Sequence, residues 1–476
     1  MFVILSAIAV VVVGGYFLAR RADVRLVLML SAAALFVVRA MQHDVPEGRS
    51  NVLGSFFVKF AEQLVSPTSV IPICSAMGFA YVCKLTECDA HLVHLLVRPL
   101  RHVKFLLIPG GIAVAFLVNS AIVSQTSTVS VVGPVLIPIL LAAGISRQTA
   151  GALLLLGGSM GGELLNPAAV EIAAIRKVVN VDATQIIAKI LPYNLLACGT
   201  ALLMFWMLSF AHERRWRTAS NAEPEGSEES IAHAPGSIAA AMVLAEATEI
   251  KRINLFKAAI PLVPVVLLLF IKPLMDRYCL MPEVLTDSEK GKYPEQSRIA
   301  AAMLIGVALA ALSSPTKISR VAAAFFEGAG FVYMHVISVI AAATLFAEGV
   351  KINGLIDMAT THIKHAPTAV TIASLLIPWL MACVTGTAVG TAPLVIQILL
   401  PIAMGIPGAG TETGTRIGGL NAIAAQYGRT SSPVAPVTIM CATLSRCRPL
   451  DLALRVFVPL LTGGIVLIGA VMAGIF

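Results

Sequence analysis

Charged residues are scarce in this sequence. Only 13% of its 476 residues are Asp, Glu, Lys or Arg, whereas 58% are hydrophobic. A soluble protein has roughly a quarter of its residues charged. The shortage excludes an ordinary soluble protein and indicates that lipid surrounds much of the chain.

Enzyme, metal and nucleotide motifs are also missing. The 8 cysteines include no CxxC pair, which argues against a zinc site or a disulfide framework. The apolar runs contain no HExxH, paired-aspartate or Ser/His arrangement, and this argues against an intramembrane enzyme. No glycine-rich loop ends in Gly-Lys-Ser or Gly-Lys-Thr, so ATP-driven transport is not supported. We expect a non-enzymatic protein without a bound cofactor.

Long apolar segments are abundant. In hydrocarbon every backbone N–H and C=O must be paired internally, so apolar runs of about 20 residues form membrane-spanning helices. The first run is followed by "RRADVR" without a small-residue cleavage pattern, which indicates a retained span. The sequence predicts an all-α polytopic membrane protein. The clearest runs cover residues 2–19, 26–38, 186–211, 253–271, 368–384 and 456–476.

One polar segment, residues 212–252, divides the chain. Its Ser, Ala and Glu content is typical of a flexible linker. We predict a first transmembrane half at 1–211, a cytoplasmic linker, and a second transmembrane half at 253–476.

The positive charges predict the orientation of the halves. The net charge of +8 arises largely in short loops, which indicates positive-inside topology and not nucleic-acid binding. With the basic loops in the cytoplasm, both chain ends lie outside, in the periplasm of a bacterium. The two halves then cross the membrane in opposite directions, as in the inverted repeats of secondary transporters. The basic loops lie at 20–25, 84–104, 212–217, 315–320 and 446–455.

Short sequence matches support this repeat. "TSTVSVVGPVLIPILL" (126–141) aligns with "TGTAVGTAPLVIQILL" (385–400), and "GELLNPAAV" (162–170) aligns with "GRTSSPVAPV" (428–437). Both matches centre on residues that break helices, so we predict interrupted helices or re-entrant hairpins in each half. Residues 104–145 can form either two full crossings or one re-entrant hairpin. The predicted helix-break residues are Pro134, Pro167, Pro393, Gly428 and Pro433.

Interrupted helices provide binding groups inside the membrane. The N-terminus of a resumed half-helix presents N–H donors and a partial positive charge, which suit a carboxylate. Carbonyls at the other broken end, with nearby hydroxyls, suit a sodium ion or a proton-carrying partner. For each hydroxyl the alternative is a hydrogen bond to its own helix. The candidate substrate-binding residues are Ser124, Thr126, Ser127, Thr128, Asn166, Thr385, Thr387, Gly390, Thr391, Arg429, Thr430, Ser431 and Ser432.

Three charged residues lie in the interrupted segments. The guanidinium of Arg429 matches a carboxylate, and its aligned residue in the first half is Glu163. Charges deep in a membrane segment have a function or a partner, so this pair is either a strut between the halves or a part of binding and coupling. Glu171 is either a proton carrier or a helix-end residue near Arg176.

These segments resemble the DcuC family of C4-dicarboxylate carriers, within the ion transporter superfamily. "GRTSSPV" (428–434) is similar to the family element G-R-T-x-S-P-V, and "GTAP" (390–393) is similar to G-N-A-P, with Thr391 in place of asparagine. "NPAAVE" (166–171) resembles a proline-containing segment that ends in an acidic residue. The family-motif positions are Gly390, Glu171, Gly428, Arg429, Thr430, Ser432 and Pro433.

The resemblance implies an inner-membrane carrier of succinate, fumarate or malate type that works by symport, antiport or exchange. It also implies a proton or sodium ion as the coupling ion, and a homodimer. The alternatives are a sodium/proton antiporter and a carrier of another organic anion in the same superfamily.

Overall fold

The computed structural model contains helices joined by turns, and no strand, in the residues that it describes. The described residues are 2–20, 22–41, 49–99, 107–220, 253–268, 294–356, 358, 367–406 and 409–474. The described residues of the first half form ten α-helices: α1 (Phe2–Ala19), α2 (Val24–Ala40), α3 (Arg49–Leu64), α4 (Pro67–Thr86), α5 (Cys88–Val97), α6 (Leu107–Ala121), α7 (Gln125–Ala142), α8 (Arg147–Ser159), α9 (Val170–Val179) and α10 (Ala183–Ser220).

The second half contains ten further α-helices in its described residues. They are α11 (Leu255–Ala259), α12 (Val263–Val266), α13 (Pro294–Ser313), α14 (Ile318–Val332), α15 (Ser338–Ile352), α16 (Pro367–Thr385), α17 (Ala388–Met404), α18 (Thr411–Thr430), α19 (Pro436–Ser445) and α20 (Pro449–Met472). A π-helical turn, Tyr333–Ile337, joins α14 to α15.

The prediction of a polytopic α-helical membrane protein is confirmed. Among the described residues, seven helical stretches have the length and apolar composition needed to cross a membrane. They are Asn51–Thr86, Gln125–Ala142, Ala183–Glu213, Gln296–Ser313, Pro315–Ile352, Thr368–Thr385 and Pro449–Met472.

Helix α10 extends beyond the apolar run that predicted it. The run ends at residue 211, whereas the helix continues to Ser220. The whole helix has 38 residues and a length of about 57 Å at 1.5 Å per residue. The first nine residues of the predicted linker are therefore helical. The rest of that linker, 221–252, lies outside the described residues.

The two halves exchange contacts around one shared core. Helix α9 of the first half packs against α17 of the second, and α19 of the second packs against α7 of the first. Helices α10 and α20 also pack together. The two contacts are equivalent, as the predicted repeat requires: α9 and α19 occupy matching positions in the two halves, and so do α7 and α17.

The remaining helices pack in two groups. Helix α4 packs against α13 and α14, while α2 packs against α15. A separate hydrophobic cluster, which includes Phe79 of α4 and Met303 of α13, is distinct from the large cluster of the shared core. Most of the buried hydrophobic residues of α2 and α15 belong to the large cluster, so the flanking group consists of α4, α13 and α14.

Candidate functional site

The first interruption separates α6 from α7 at residues 122–124. Ser124 has an extended backbone and is the N-cap of α7, since its Oγ accepts a hydrogen bond from the Ser127 N–H at 3.3 Å. Thr126 and Ser127, which occupy the first turn of α7, are half-buried. These predicted residues therefore surround the N-terminus of a half-helix.

The equivalent interruption in the second half separates α16 from α17. Gly386 has φ +73°, in the left-handed region that favours glycine, and Thr387 is the extended N-cap of α17. Thr385 Oγ1 donates to the Met381 carbonyl at 2.8 Å, and Thr391 Oγ1 donates to the Thr387 carbonyl at 2.9 Å. In this conformation both threonine hydroxyls therefore bond to nearby main chain.

Two of the predicted helix-break residues do not break helices. Pro134 is the tenth residue of α7 and Pro393 the sixth residue of α17, and both helices continue through them. A proline removes one hydrogen bond and kinks a helix, which packing can accommodate. The chain reversal instead requires the extended Ser124 in one half and the left-handed Gly386 in the other.

The second interruption of the first half lies between α8 and α9, and it contains Pro167. After Ser159 the chain makes a 3-10 turn at Gly162–Leu165, and α9 resumes at Val170. Asn166 stabilises the gap, because its Nδ2 donates to the Ser120 carbonyl at 3.0 Å and its Oδ1 accepts from the Ala168 N–H at 3.0 Å.

The matching interruption between α18 and α19 contains Pro433. Thr430 Oγ1 lies 2.9 Å from Ser159 Oγ, and Ser431 Oγ donates to the Tyr427 carbonyl at 2.7 Å. Two further hydroxyls differ from these. Ser432 Oγ and Thr438 Oγ1 are buried without a hydrogen-bond partner among the described residues. Thr438 lies in the first turn of α19.

Gly428 also has a role other than the one predicted. It lies within α18, two residues before the helix ends at Thr430. A Cβ on Gly428 would come within 2.2 Å of the Trp379 carbonyl, so glycine allows α18 to pack closely against α16. Its aligned residue, Gly162, is similarly close to the Phe116 carbonyl of α6, at 2.4 Å. Both glycines therefore allow close packing against the helix that precedes the first interruption of their half.

The interruptions of each half lie next to each other. A Cβ on Gly386 would be 3.1 Å from the Ala435 Cα, so the gap between α16 and α17 touches the gap before α19. In the first half, Asn119 Oδ1 accepts from the Glu163 N–H at 3.0 Å and joins α6 to the 3-10 turn. In each half, the first interruption therefore lies next to the second.

A buried ion pair between Glu163 and Arg429 joins the interruptions of the first half to those of the second. Arg429 Nη1 lies 3.0 Å from Glu163 Oε1, and each side chain is only 5% exposed. Arg429 also donates to the Ser159 carbonyl at 2.9 Å, to Ser159 Oγ at 3.3 Å, and to Gln426 Oε1. Four of the five guanidinium N–H groups are therefore engaged within the protein.

Two glutamines extend this pair into a chain of polar contacts. Gln125 Nε2 donates to Glu163 Oε2 from the first turn of α7. Gln426 Nε2 donates to Glu171 Oε1, at the first turn of α9, at 2.8 Å. The resulting buried network, which we call the midline network, consists of Gln125, Glu163, Arg429, Gln426 and Glu171.

Five polar residues of this region were not among the site residues predicted from the sequence. Each is a polar residue next to a predicted break and inside an otherwise apolar segment, and that position was the available signal. The missed residues are Asn119, Gln125, Ser159, Gln426 and Thr438.

No group of three or more His, Cys, Asp or Glu side chains could hold a metal ion among the residues that the structure describes. A sodium site built from serine and threonine oxygens stays a prediction. Gly390, also a predicted binding residue, lies in the first turn of α17 against the side chains of Thr387 and Val24.

A family model and two relatives match this sequence. The family model described as C4-dicarboxylate anaerobic carrier, DcuC, matches residues 3–475. One uncharacterized transporter of Haemophilus influenzae is 40% identical over 138 residues, which cover 29% of this chain and 88% of the relative. Another from the same organism is 26% identical over 295 residues, or 61% of this chain and 94% of the relative.

Two solved structures are similar in fold. Neisseria gonorrhoeae MtrF, described as one of a class of antimetabolite efflux pumps, has a TM-score of 0.59 at 13% identity over 94% of this chain and 95% of its own. The Alcanivorax borkumensis YdaH transporter, described as having an unusual topology, has a TM-score of 0.58 at 14% identity over 95% of this chain and 97% of its own. At these identities the likeness concerns the fold alone.

Proposed function

The chain belongs to the C4-dicarboxylate anaerobic carrier family, DcuC, and from this we propose that it is a secondary carrier of small dicarboxylates such as succinate, fumarate and malate. The observation that carries the proposal is the meeting of four helix interruptions, two from each half, around buried polar groups. Broken helices of this kind bind anions at their N-termini in membrane carriers.

The substrate carboxylates are proposed to bind between α17 and α19. The N-termini of these helices follow the touching gaps at Gly386 and Ala435. Ser432 and Thr438 add two buried hydroxyls that lack partners in the described protein. An unpaired buried hydroxyl is unfavourable, so a ligand that accepts its hydrogen bond gains affinity there. These two residues are therefore the proposed primary contacts.

Arg429 is proposed to act chiefly as a strut between the halves. Four of its N–H groups already bond to Glu163, Ser159 and Gln426, which leaves one N–H for a substrate in this conformation. The Glu163–Arg429 pair also carries no net charge. The attraction for a dianion therefore comes mainly from helix N-termini and hydroxyls.

Several properties of the carrier accompany this proposal. We place it in the bacterial inner membrane with both chain ends in the periplasm, as the basic loops predict. A homodimer in the lipid bilayer and movement by symport, antiport or exchange with a proton or sodium ion complete the hypothesis.

The neighbouring serines Ser431 and Ser432 provide the test. Succinate counterflow in proteoliposomes is measured for the wild type, Ser432→Ala and Ser431→Ala. Loss of a hydrogen bond to a charged ligand costs about 1.5–3 kcal/mol, so Ser432→Ala should raise the apparent KM roughly 10- to 100-fold. Ser431→Ala should leave it nearly unchanged, because the Ser431 hydroxyl bonds to the Tyr427 carbonyl. No succinate counterflow by the wild type would reject the proposed substrate class.

A sodium/proton antiporter is the second candidate. It is favoured by one observation, the burial of two carboxylates, Glu163 and Glu171, in the midline network. An antiporter would exchange sodium for protons without any added dicarboxylate. Ion flux that requires succinate would exclude it.

A further inference from the structure

The midline network contains more acid than base. Its ionisable side chains are Glu163, Glu171 and Arg429, and all three are buried. Glu163 pairs with Arg429 at 3.0 Å, whereas Glu171 contacts the neutral amide of Gln426. An ionised Glu171 would therefore leave one uncompensated negative charge in the network, which is costly at this depth.

Charged groups elsewhere on the packed helices do not compensate Glu171. Glu163 and Arg429 are the charged side chains that interact most strongly with it. Arg176 and Lys177 of α9 lie five and six residues further along, about 140° and 120° away around the helix at 100° per residue. Helix α17, which packs against α9, carries no charged residue. Among the other helices that pack against α9, α4 carries Lys84, α10 carries Lys189 in its first two turns, and α18 carries Glu412 and Arg416 in addition to Arg429.

The orientation of Gln426 determines which cation can neutralise Glu171. A guanidinium donates hydrogen bonds and accepts none, so Gln426 must present its oxygen to Arg429. Its Nε2–H₂ group is then the one that faces Glu171, at 2.8 Å. A sodium ion at Glu171 would require oxygen ligands and would be repelled by this N–H donor. A proton fits, because a neutral carboxyl group can still accept the Gln426 hydrogen bond through its carbonyl oxygen.

The proton can also leave. Glu171 occupies the first turn of α9, where the helix N-terminus stabilises a carboxylate, and the Gln426 donor stabilises it as well. Both the charged and the neutral form are thus supported by the surroundings, as an exchangeable site requires.

We infer that Glu171 binds one proton per transport cycle and that Gln426 is the positioning residue that links this proton site to Arg429. The inference rests on the proposed function and specifies its coupling ion. A dicarboxylate bound beside α17 and α19 adds negative charge to the same region, so substrate and proton each increase the affinity for the other. The proton enters Glu171 from one side of the membrane and is released with the substrate on the other.

The test uses the full-length carrier in proteoliposomes and three variants. Succinate counterflow without a pH gradient measures exchange, and succinate accumulation under an imposed pH gradient measures coupling. A trapped pH-sensitive dye measures proton movement. Glu171→Gln is uncharged but similar in shape, so it should retain counterflow and lose at least about tenfold of the gradient-driven accumulation, in line with coupling factors of roughly 5- to 150-fold. Glu327→Gln, an exposed glutamate on α14, is the matched control and should behave as the wild type.

The outcomes separate the two hypotheses. If the wild type shows no succinate counterflow, the proposed function fails. If it shows counterflow and Glu171→Gln still accumulates succinate with an unchanged pH-gradient dependence, the proton site is elsewhere. Accumulation driven by a sodium gradient alone would also overturn the inference.

Gln426→Met provides an independent measurement if Glu171→Gln does not fold. Methionine removes the N–H that stabilises the charged form of Glu171 but keeps the length of the side chain. Substrate-driven proton movement should then shift toward higher pH, while counterflow persists. An unchanged pH profile in this variant would contradict the positioning role of Gln426.

Discussion

The ion pair between Glu163 and Arg429 allows the sharpest prediction. Arg429→Gln removes the positive charge and leaves Glu163 buried with no cation, while the Ser159 carbonyl loses a donor. Removal of one partner of a buried pair costs about 3–5 kcal/mol. With an unfolding entropy of about 2 cal/mol/K per residue, this loss of unfolding free energy lowers Tm by roughly 3–5 °C for a chain of this length. Thermal unfolding in detergent measures the change.

A double-mutant cycle tests whether the loss comes from the pair. In Glu163→Gln/Arg429→Gln two amides replace two charges, so part of the stability should return, with a coupling of about 0.5–3 kcal/mol. Lys189 of α10 and Glu412 of α18 form an exposed pair at 2.5 Å. Neutralising this control pair should leave Tm unchanged. Strictly additive losses in the cycle would refute the strut.

Transport by the same variants distinguishes the two roles of Arg429. If the residue is a strut, the double variant should recover succinate counterflow together with stability. If Arg429 instead holds a substrate carboxylate, the double variant should be stable yet inactive. The second result would move the primary binding contact from Ser432 to Arg429.

Two further predictions concern packing and pH. Gly428→Ala should lower Tm and the yield of folded carrier by forcing α18 away from the Trp379 carbonyl, whereas Gly469→Ala, with open space around it, should not. Asp23 is the N-cap of α2, and its hydrogen bond with Arg25 lowers its pKa from 3.8 to about 2. Its contribution to stability should therefore be present above pH 4 and disappear as pH falls toward 2. Asp23→Asn should remove that part of the acid dependence of Tm, and an unaltered slope between pH 4 and pH 2 would contradict it.

Most of the architecture could be predicted from the sequence because lipid imposes simple rules. Apolar runs such as 368–384 and 456–476 correspond to α16 and α20 within a few residues, except that α20 begins earlier, at Pro449. The chain is also interrupted at Pro167 and Pro433, two of the predicted helix-break positions. A proline next to Asn or Ser between two apolar runs was a sufficient signal.

The errors arose where tertiary packing decides the outcome. Pro134 and Pro393 look like breaks in sequence, yet the helices continue through them because the reversal is made earlier, at Ser124 and Gly386. Gly428 suggested a break, but its neighbours are a carbonyl and a methyl group of α16. The role of a glycine depends on what approaches it, and this is not visible along the chain.

The candidate binding residues were only partly predictable from the sequence. The pairing of Glu163 with Arg429 was one of two alternatives for these aligned residues, and the structure shows the ion pair. Gln125 and Gln426 did not stand out, because an amide in an apolar segment carries no charge to suggest a partner. Likewise, nothing in the sequence separates Ser431, which bonds to its own helix, from Ser432, which does not.

The exchange of helices between the halves constrains how this chain can evolve. Gly133 and Gly151 leave space for Leu444 and Ser445 of the opposite half, and Gly418 leaves space for Ile175 in return. A mutation at one of these glycines alters a surface against which the other half packs. Substitutions at this interface are therefore expected to occur in pairs, one in each half.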